Sequence, residues 1–295
     1  MRLISRRLLL AVGLALLALP ALGAPRAQHV VIISLDGGKP AVIRECAMPV
    51  LTSIFKAGAG TWSAQTIYPP VTLPSHTSML TGVGPAKHKV DWNTWDPEKG
   101  LVAAPTIFLL AKQHGLSTAM FAGKPKFRHL ELPGSLDMSF VKAADSIPIA
   151  KLAAEYIVSA KPSLCFVHFP NTDEMGHKHG WGSPEQKKAF EDEDEGIGIV
   201  REAIQQAGIA SSTVLIVTAD HGGHDHTHGS RIPEDMTIPW VAVGAGVRPG
   251  VTLVKPVTTY DTAATALWLL DVPIPNSFDG KPVTEAFGPA PRARR

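Results

Sequence analysis

Five continuous apolar runs, separated by longer segments with helical character, are the feature that most limits what this chain can fold into. Such runs, bounded by turn residues, are typical of strands that are covered on both faces. They are residues 29–35, 116–122, 164–169, 213–218 and 240–243. The candidate helices between them are residues 48–56, 105–114, 149–159, 184–206 and 261–270. Because strands that alternate with helices favour a mostly parallel sheet, the sequence predicts a three-layer α/β/α sandwich.

The composition is that of a globular domain with a large core. Of the 295 residues, 45% are hydrophobic and 18% are charged, as in ordinary soluble domains. No internal repeat or long low-complexity linker follows residue 28, so we expect residues 25–295 to form a single domain. The formal net charge is only +2, and no nucleic-acid-binding surface is evident from it. Cys165 lies inside an apolar run, where a cysteine is usually a small buried side chain.

The N-terminal segment is typical of a signal peptide. Three arginines within the first seven residues precede the apolar residues 8–19 and the small-residue stretch 21–24. This apolar run is too short to cross a hydrocarbon core of about 30 Å as a helix, so no stable membrane anchor is expected. We expect residues 1–24 to direct export by the Sec route and then to be removed, so that the protein is periplasmic or extracellular. The Arg6-Arg7 pair also allows the twin-arginine route.

Three of the apolar runs deliver an aspartate to the same edge of the predicted sheet. Asp36, Asp173 and Asp220 each follow the carboxyl end of a run. Ligands bind at that edge in open α/β sheets, so we expect the three carboxylates to share one rim. Taken singly, each aspartate is also compatible with a turn or a helix cap.

Histidines supply the remaining candidate metal ligands. Residues 218–229 contain four histidines and two aspartates, a mixture of nitrogen and oxygen atoms that suits Zn²⁺. His177 lies four residues after Asp173 and could share one face of a helical turn, which Gly176 should keep short. Two ions about 3.5–4 Å apart can stabilise both the attacking and the leaving oxygen of a displacement at phosphorus. The candidate ligands form two sets: Asp173, His177 and His228; and Asp36, Asp220 and His221.

A hydroxyl nucleophile is available in the proline-rich residues 68–76, which run into a short candidate helix, residues 75–80, with Gly82 just after its end. Thr72 would lie beside the amides that open the helix, where anions are favoured. Coordination to a metal would lower the pKa of its hydroxyl and activate it. Thr72 or Ser75 could instead simply cap the helix.

Together these residues resemble the alkaline phosphatase superfamily, and most closely its type I phosphodiesterase/nucleotide pyrophosphatase family. The resemblance is carried by residues 34–37, 68–76, 88–93, 171–177 and 219–222. It implies a single alkaline phosphatase-like catalytic domain over residues 25–295, with two zinc ions. It also implies that a phosphoryl or nucleotidyl group is held on the nucleophile before water releases it. By position, the ligands would be Asp36, Thr72, Asp220 and His221 for one ion, and Asp173, His177 and His228 for the other.

The sequence departs from many nucleotide pyrophosphatases in its last histidine ligand. That ligand usually comes from a later segment, whereas no histidine follows His228 here. His224 and His226 compete with His228, and the Thr-His-Gly setting favours His228. We also expect the inserted cap domains that select substrates in larger relatives to be missing.

One amide and three basic side chains are candidates for substrate binding. Asn93 matches the asparagine that donates to a non-bridging phosphate oxygen in the family, although it could be a turn residue. Lys124, Lys126 and Arg128 follow the run 116–122 at the binding edge, where they could bind the extra negative charge of a phosphate monoester or a phosphonate, or form a solvated basic turn.

Three aromatic side chains favour the opposite substrate preference, for a phosphate diester. Trp92, Trp95 and Trp181 could stack a nucleobase and favour a nucleotide diester, or merely pack within their loops.

The predicted function is an exported phosphoric ester hydrolase of the phosphodiesterase/nucleotide pyrophosphatase type, acting through a phospho-threonine at a two-zinc site. Its expected partner is a small phosphate ester, nucleotide or phosphonate. A phosphomonoesterase or a phosphonoacetate hydrolase on the same site is the alternative. A non-catalytic periplasmic metal-binding protein would explain residues 218–229 but gives no purpose to Asp36, Thr72 and Asp173. A sulfatase would need an oxidisable Cys or Ser at position 72.

Overall fold

The computed structural model describes residues 26–288, in which eight strands form one mixed sheet. The strands are β1 His29–Leu35, β2 Ala59–Gln65, β3 Thr118–Ala122, β4 Met138–Val141, β5 Leu164–Phe169, β6 Thr213–Ala219, β7 Thr237–Gly244 and β8 Val251–Thr252. Their order across the sheet is β4-β3-β5-β1-β6-β7-β2-β8. Only β7 is antiparallel to its neighbours. The prediction of an α/β fold with a mostly parallel sheet is therefore confirmed.

Helices cover both faces of this sheet. They are α1 Pro40–Ile43, α2 Pro49–Ala57, α3 Thr72–Thr81, α4 Pro85–His88, α5 Ile107–Gln113, α6 Ser146–Ala160, α7 Asn171–His179, α8 Pro184–Gln206, α9 Pro233–Met236 and α10 Asp261–Leu269. Alternate residues of a strand face opposite sides, and in β1 Val30 and Ile32 enter the core that contains residues of α3, α5 and α10. Val31 and Ile33 enter the second core, with residues of α2, α6 and α8. The three layers follow from this alternation.

The central strands end level with one another. Leu35, the last residue of β1, lies opposite Phe169 of β5 and Ala219 of β6. Because these strands are parallel, the residues that follow them emerge at the same edge of the sheet. This register sets the position of the candidate site.

The apolar pattern does not predict β2, β4 and β8. The sequence of β2, AGTWSAQ, contains few strongly strand-forming residues. Gly60 is needed there, because a Cβ at this position would lie only 2.8 Å from the Trp240 carbonyl oxygen of β7. Pairing with β7 therefore makes β2 a strand, and a local sequence pattern does not contain that information.

The prediction that Gly176 keeps its helical turn short is wrong. α7 continues through Gly176 to His179. A Cβ at position 176 would lie 2.7 Å from Gln186 Nε2 and 2.9 Å from Trp181 Cδ2. Glycine is therefore required by close packing against neighbouring side chains, and it does not end the helix.

The N-terminus of α3 also differs from the sequence prediction, since the helix starts at Thr72, three residues early. Its end agrees with the prediction: Gly82 adopts the left-handed conformation at φ 69° and caps the helix.

Within residues 26–288, no helix has the length and apolar character needed to cross a membrane. The predicted signal peptide, residues 1–24, lies outside the described residues.

Candidate active site

Four neighbouring parallel strands, β3, β5, β1 and β6, supply the polar side chains of the candidate site. Lys124 follows β3, Asp173 follows β5, Asp36 follows β1 and Asp220 follows β6. The strands lie side by side, so residues far apart in the chain meet at one rim, as expected for an open α/β sheet.

Asp36, Asp220 and His221 form the first ligand group, and all three are fully buried. One ligand atom from each lies within 4.8 Å of the others. His221 Nε2 is 3.4 Å from Asp36 Oδ1 and 3.3 Å from Asp220 Oδ2. The other oxygen of Asp220, Oδ1, accepts hydrogen bonds from the Gly37 and His221 amides at 3.1 and 3.0 Å. These bonds fix the carboxylate and leave Oδ2 facing the group.

Asp173 is the centre of the second ligand group. Its Oδ1 lies 3.4 Å from His177 Nε2 and 3.5 Å from His228 Nε2. The atoms that lie within 4.8 Å of one another here belong to Asp173, His221 and His228, and the His221 and His228 rings stack at 3.8 Å. His177 approaches Asp173 from the solvent side, with 44% of its side chain exposed. The structure thus brings all six predicted side chains together, but His221 lies between the two groups and is shared by both.

The other two histidines of the loop lie outside these groups. His224 Nδ1 pairs with Asp235 Oδ1 at 2.7 Å. His226 is exposed, and its Nδ1 lies 3.2 Å from the His177 carbonyl oxygen. Geometry therefore favours His228 as the ligand from this loop.

The three candidate histidines share one ring orientation. Nδ1 donates to a backbone carbonyl oxygen in each: His221 to Gly222 at 2.8 Å, His228 to Pro70 at 2.9 Å, and His177 to His226 at 2.9 Å. A hydrogen bond from one ring nitrogen fixes the tautomer. In the neutral ring the lone pair is then on Nε2, the atom that faces the carboxylates in all three.

Several buried polar atoms at the centre have no hydrogen-bond partner within residues 26–288. They are Asp36 Oδ1, Thr72 Oγ1, Asp173 Oδ1, Asp220 Oδ2 and His221 Nε2. An unpaired buried polar atom costs about 1–3 kcal/mol, and such atoms are rare in native proteins. Divalent cations would give every one of these atoms a partner, so the donor set fits metal ions.

The electrostatics of the centre also favour cations. Burial raises the pKa of Asp220 to about 8, and the charge of Asp36 adds to this shift. Burial acts to raise the pKa of Asp36 as well, but the charge of Lys124, the hydrogen bond from His168 and the nearby His221 outweigh it and hold the pKa well below its usual range. Burial alone would lower the pKa of His221, yet Asp220 and Asp36 raise it to about 9. Positive charge is therefore stabilised at this position.

Thr72 is the first residue of α3 and is 1% exposed. No side chain caps this helix, and Ser75 Oγ instead lies 3.0 Å from Thr66 Oγ1, so the capping alternative is wrong for Thr72 and Ser75. His76 Nδ1 donates to the Thr72 carbonyl oxygen at 2.8 Å and lies 3.3 Å from Asp220 Oδ2. This ring ties the start of α3 to the first ligand group.

Asn93 is held beside the start of α3. Its Oδ1 accepts hydrogen bonds from the Leu73 amide at 2.9 Å and from Lys126 Nζ at 3.1 Å. The oxygen of the side chain is thus occupied, and its Nδ2 remains available to donate. Burial lowers the pKa of Lys126, and the neighbouring charge of Lys124 lowers it further.

Lys124 joins the two ligand groups. Its Nζ lies 2.6 Å from Asp36 Oδ2 and 2.5 Å from Asp173 Oδ2. Burial acts to lower the pKa of Lys124, but the two carboxylates outweigh it and raise the pKa above its usual range.

Arg128 points to a different place from the two lysines. Its guanidinium lies 5.7 Å from the centre of the Trp95 ring, a cation–π arrangement. Trp95 in turn contacts His129, with ring centres 4.6 Å apart, and Trp92 Nε1 donates to the same histidine at 3.2 Å. These contacts support packing roles for both tryptophans.

Trp181 packs against the second ligand group. Its ring lies against Gly223 and Gly176, and its Nε1 donates to the Gly37 carbonyl oxygen at 3.2 Å. The ring centre lies 5.3 Å from that of His177. Trp181 therefore packs against the segments that carry the ligands and stabilises their positions.

His168 is a site residue that the sequence analysis missed. It is fully buried on β5, and its Nε2 donates to Asp36 Oδ2 at 2.8 Å. The only signal was a single histidine at the end of an apolar strand, one residue before Phe169, which by itself does not distinguish a core histidine from a site residue.

The family model of type I phosphodiesterase/nucleotide pyrophosphatase matches residues 30–236. The chain belongs to this family. The match includes every candidate metal ligand, Thr72, Asn93 and the three basic residues after β3.

Curated relatives within the family are distant. Family member 7 of the ectonucleotide pyrophosphatases/phosphodiesterases from Mus musculus is 24% identical over 239 residues, 72% of this chain and 54% of the relative. Family member 1 from Rattus norvegicus is 24% identical over 217 residues, 65% of this chain and 23% of the relative. The chain thus spans between about a quarter and about half of the length of these proteins.

Solved structures share the fold. Murine ectonucleotide pyrophosphatase/phosphodiesterase 5, solved as an inactive variant in complex with AMP, superposes with a TM-score of 0.76 at 16% identity, covering 88% of this chain and 100% of that one. A phosphonate monoester hydrolase from Silicibacter pomeroyi superposes with a TM-score of 0.69 at 15% identity, covering 91% and 78%. Likenesses at this identity show the fold alone.

Proposed function

We propose that this protein is an exported, metal-dependent phosphoric ester hydrolase that acts through a covalent phospho-threonine at Thr72. The observation that carries the proposal is the group of buried, unpartnered atoms on Asp36, Asp173, Asp220, His221 and Thr72. Carboxylate oxygens and imidazole nitrogens in this arrangement suit Zn²⁺. Family membership supports the reaction class, and residues 1–24 support export.

Two ions would be held by Asp36, Thr72, Asp220 and His221 on one side, and by Asp173, His177 and His228 on the other. When bound, they would supply Lewis acidity that lowers the pKa of the threonine hydroxyl and stabilises developing charge on the phosphate.

The chain's own residues account for the two displacements. In the first, Thr72 Oγ1 gives up its proton and bonds to phosphorus as the ester P–O bond breaks; the electron pair of that bond leaves with the departing oxygen, which takes up a proton. In the second, the oxygen of a water molecule loses a proton and bonds to phosphorus as the Thr72 Oγ1–P bond breaks; its electron pair returns to Oγ1, which takes up a proton and regenerates the hydroxyl. Asn93 Nδ2 would donate to a non-bridging oxygen through both steps. Its Oδ1 is held by the Leu73 amide, so the donor is oriented before the substrate arrives.

A monoester or a phosphonate such as phosphonoacetate is the second candidate substrate class, and the two lysines favour it. Lys126 lies 3.1 Å from Asn93 Oδ1, and Lys124 lies between Asp36 and Asp173. A diester carries one negative charge, whereas a monoester or phosphonoacetate carries more. Partly buried ammonium groups near the phosphate would stabilise the additional charge.

The test is a rate comparison on zinc-loaded protein with matched aryl phosphate monoester, aryl phosphate diester and phosphonate substrates. We expect Thr72→Ala to abolish hydrolysis while two zinc ions remain bound, because Asp36, Asp220 and His221 still form a three-ligand group without it; Asp220→Ala should abolish both hydrolysis and at least one bound ion. Thr81→Ala is the matched control, because Thr81 is equally buried at the other end of α3 and should retain activity. A wild-type protein that binds zinc but hydrolyses none of the substrates would favour a metal-binding protein and overturn the proposal.

A further inference from the structure

Thr172 lies between the two ligand groups, and each of its polar groups is occupied. Its hydroxyl donates to the backbone carbonyl oxygen of Asp36 at 2.5 Å, and it directly precedes Asp173. Its amide donates to Glu193 Oε1 at 3.2 Å. Its carbonyl oxygen accepts from Gln186 Nε2 at 3.0 Å. One residue therefore connects a ligand of the first group with a ligand of the second.

The two side chains that hold Thr172 come from one face of α8. Gln186 and Glu193 are seven residues apart, about two helical turns, and both are fully buried. A buried carboxyl group within a helix is costly unless it is hydrogen-bonded, and Glu193 Oε1 also accepts from Ser146 Oγ at 3.0 Å. These contacts have no role in the two displacements described above, so their purpose requires a separate explanation.

The hydrogen bonds at Thr172 also define the state of Glu193. Glu193 Oε2 lies 3.3 Å from Thr172 Oγ1, but the single hydroxyl proton is directed to the nearer Asp36 carbonyl oxygen at 2.5 Å. The Oε2 contact is then a hydrogen bond only if the carboxyl group is protonated and donates. Burial raises the pKa of Glu193 well above its usual range, in agreement with this assignment.

We propose that Thr172, clamped by Glu193 and Gln186 of α8, is a positioning residue that fixes Asp36 relative to Asp173 and so sets the spacing of the two metal-ligand groups. The proposal rests on the proposed function, because it concerns the same ions. Removal of an outer partner of a metal ligand typically lowers metal affinity or activity by about 10–100-fold. A loss of this size is expected if the clamp is released.

The test is Thr172→Val, which removes the hydroxyl and keeps the shape of the side chain. Zinc affinity is measured by competition with a chromophoric chelator, and kcat with an aryl phosphate ester. We expect one of the two ions to bind about 10-fold more weakly or worse, with a comparable loss in kcat. Thr172→Ser should restore both values to near those of the wild type.

Thr265→Val is the matched structural control. Thr265 is fully buried in α10, donates to the Asp261 carbonyl oxygen at 2.7 Å and accepts from the Val283 amide at 2.9 Å. The control therefore also loses two buried hydrogen bonds, but it lies outside the ligand groups. It should lower Tm and leave zinc affinity and kcat unchanged.

A second pair of variants covers the case in which Thr172→Val does not fold. Glu193→Gln can accept from the Thr172 amide and donate to Oγ1, so we expect its zinc affinity to be close to that of the wild type. Glu193→Ala should lower the zinc affinity as Thr172→Val does.

The clamp is overturned if Thr172→Val or Glu193→Ala keeps both ions and full kcat, or if Thr172→Ser does not restore the zinc affinity and kcat. A wild-type protein that binds no zinc or hydrolyses no phosphate ester would instead overturn the proposed function, and the clamp with it.

Discussion

At the scale of single residues, the position of Nε2 separates His228, which faces a ligand carboxylate, from His224 and His226, which lie outside both ligand groups. His228 offers Nε2 to Asp173 because its Nδ1 is committed to the Pro70 carbonyl oxygen. Burial lowers the pKa of His228 to about 4, and the neighbouring His221 contributes to the shift. His228 is therefore neutral near pH 7, as a metal ligand must be.

This difference gives the first prediction. His228→Ala should weaken the binding of one zinc ion by several orders of magnitude, because a direct ligand is lost. His226→Ala should leave both ions bound, since the exposed His226 ring contacts only the backbone carbonyl oxygen of His177 among the described ligand residues and belongs to neither ligand group. Metal analysis after dialysis against a weak chelator measures the outcome. Retention of both ions in His228→Ala would show that the ligand assignment is wrong.

The second residue-scale prediction concerns substrate charge. Lys126→Gln should lower kcat/KM for an aryl monoester by about 10-fold or more, the effect expected from losing a charged hydrogen-bond donor of roughly 1.5–3 kcal/mol. The diester should be affected less, because it carries less charge at the same position. Arg128→Gln is the control, since Arg128 lies over Trp95. Equal losses for monoester and diester would argue against charge compensation by Lys126.

At the scale of secondary structure, α7 shows why a helix-breaking residue need not break a helix. Gly176 carries no φ strain, and the Cβ of an alanine there would lie 2.9 Å from Trp181 Cδ2 and 2.7 Å from Gln186 Nε2. Trp181 is a rigid ring, and Gln186 is held by Thr172. Neither neighbour can move without disturbing a ligand loop.

The third prediction follows from this packing. Gly176→Ala should destabilise the protein by about 1–3 kcal/mol, the usual cost of overpacking, although alanine favours a helix. Gly198→Ala in α8 is the matched control: its Cβ would meet Val50 Cγ2 at an ordinary 3.5 Å, so a gain of about 0.5–1 kcal/mol is expected. Urea unfolding of the two variants measures the difference. A stabilised Gly176→Ala would contradict the packing of α7 described above.

The elements that the sequence predicts best are those whose pattern is local. β1 and β5 are apolar at nearly every position, and α8 has the same bounds in the prediction and in the structure. β2 could not be predicted, because its pairing with β7 depends on residues far away in the chain. The sequence does not predict the start of α3, because no side chain caps it locally; the Leu73 amide in its first turn instead donates to Asn93, which lies farther along the chain.

At the scale of the whole molecule, the convergence of Asp36, Asp173 and Asp220 could be predicted because parallel strands deliver their following residues to one edge. The supporting residues could not be predicted. Thr172 and Glu193 are single polar residues whose roles depend on which side chains face them across layers. The sharing of His221 between both ligand groups also arises only in three dimensions.

Metal binding should stabilise the entire fold. Under the proposed function, zinc would bind only the assembled site, so an ion at 100 times its Kd would add about 2.7 kcal/mol to the free energy of unfolding. We expect a chelator to lower Tm and added Zn²⁺ to restore it, with the response much reduced in Asp220→Ala. A Tm that is insensitive to both treatments, measured by calorimetry, would contradict a metal site at this position.

The central claim is that hydrolysis proceeds by two successive displacements at phosphorus, with Thr72 as the nucleophile of the first. The most direct test is the stereochemical outcome with a chiral phosphorothioate diester in ¹⁸O-labelled water. Each in-line displacement inverts the configuration at phosphorus, so the account predicts overall retention. Overall inversion would show direct attack by water and would contradict a covalent phospho-threonine.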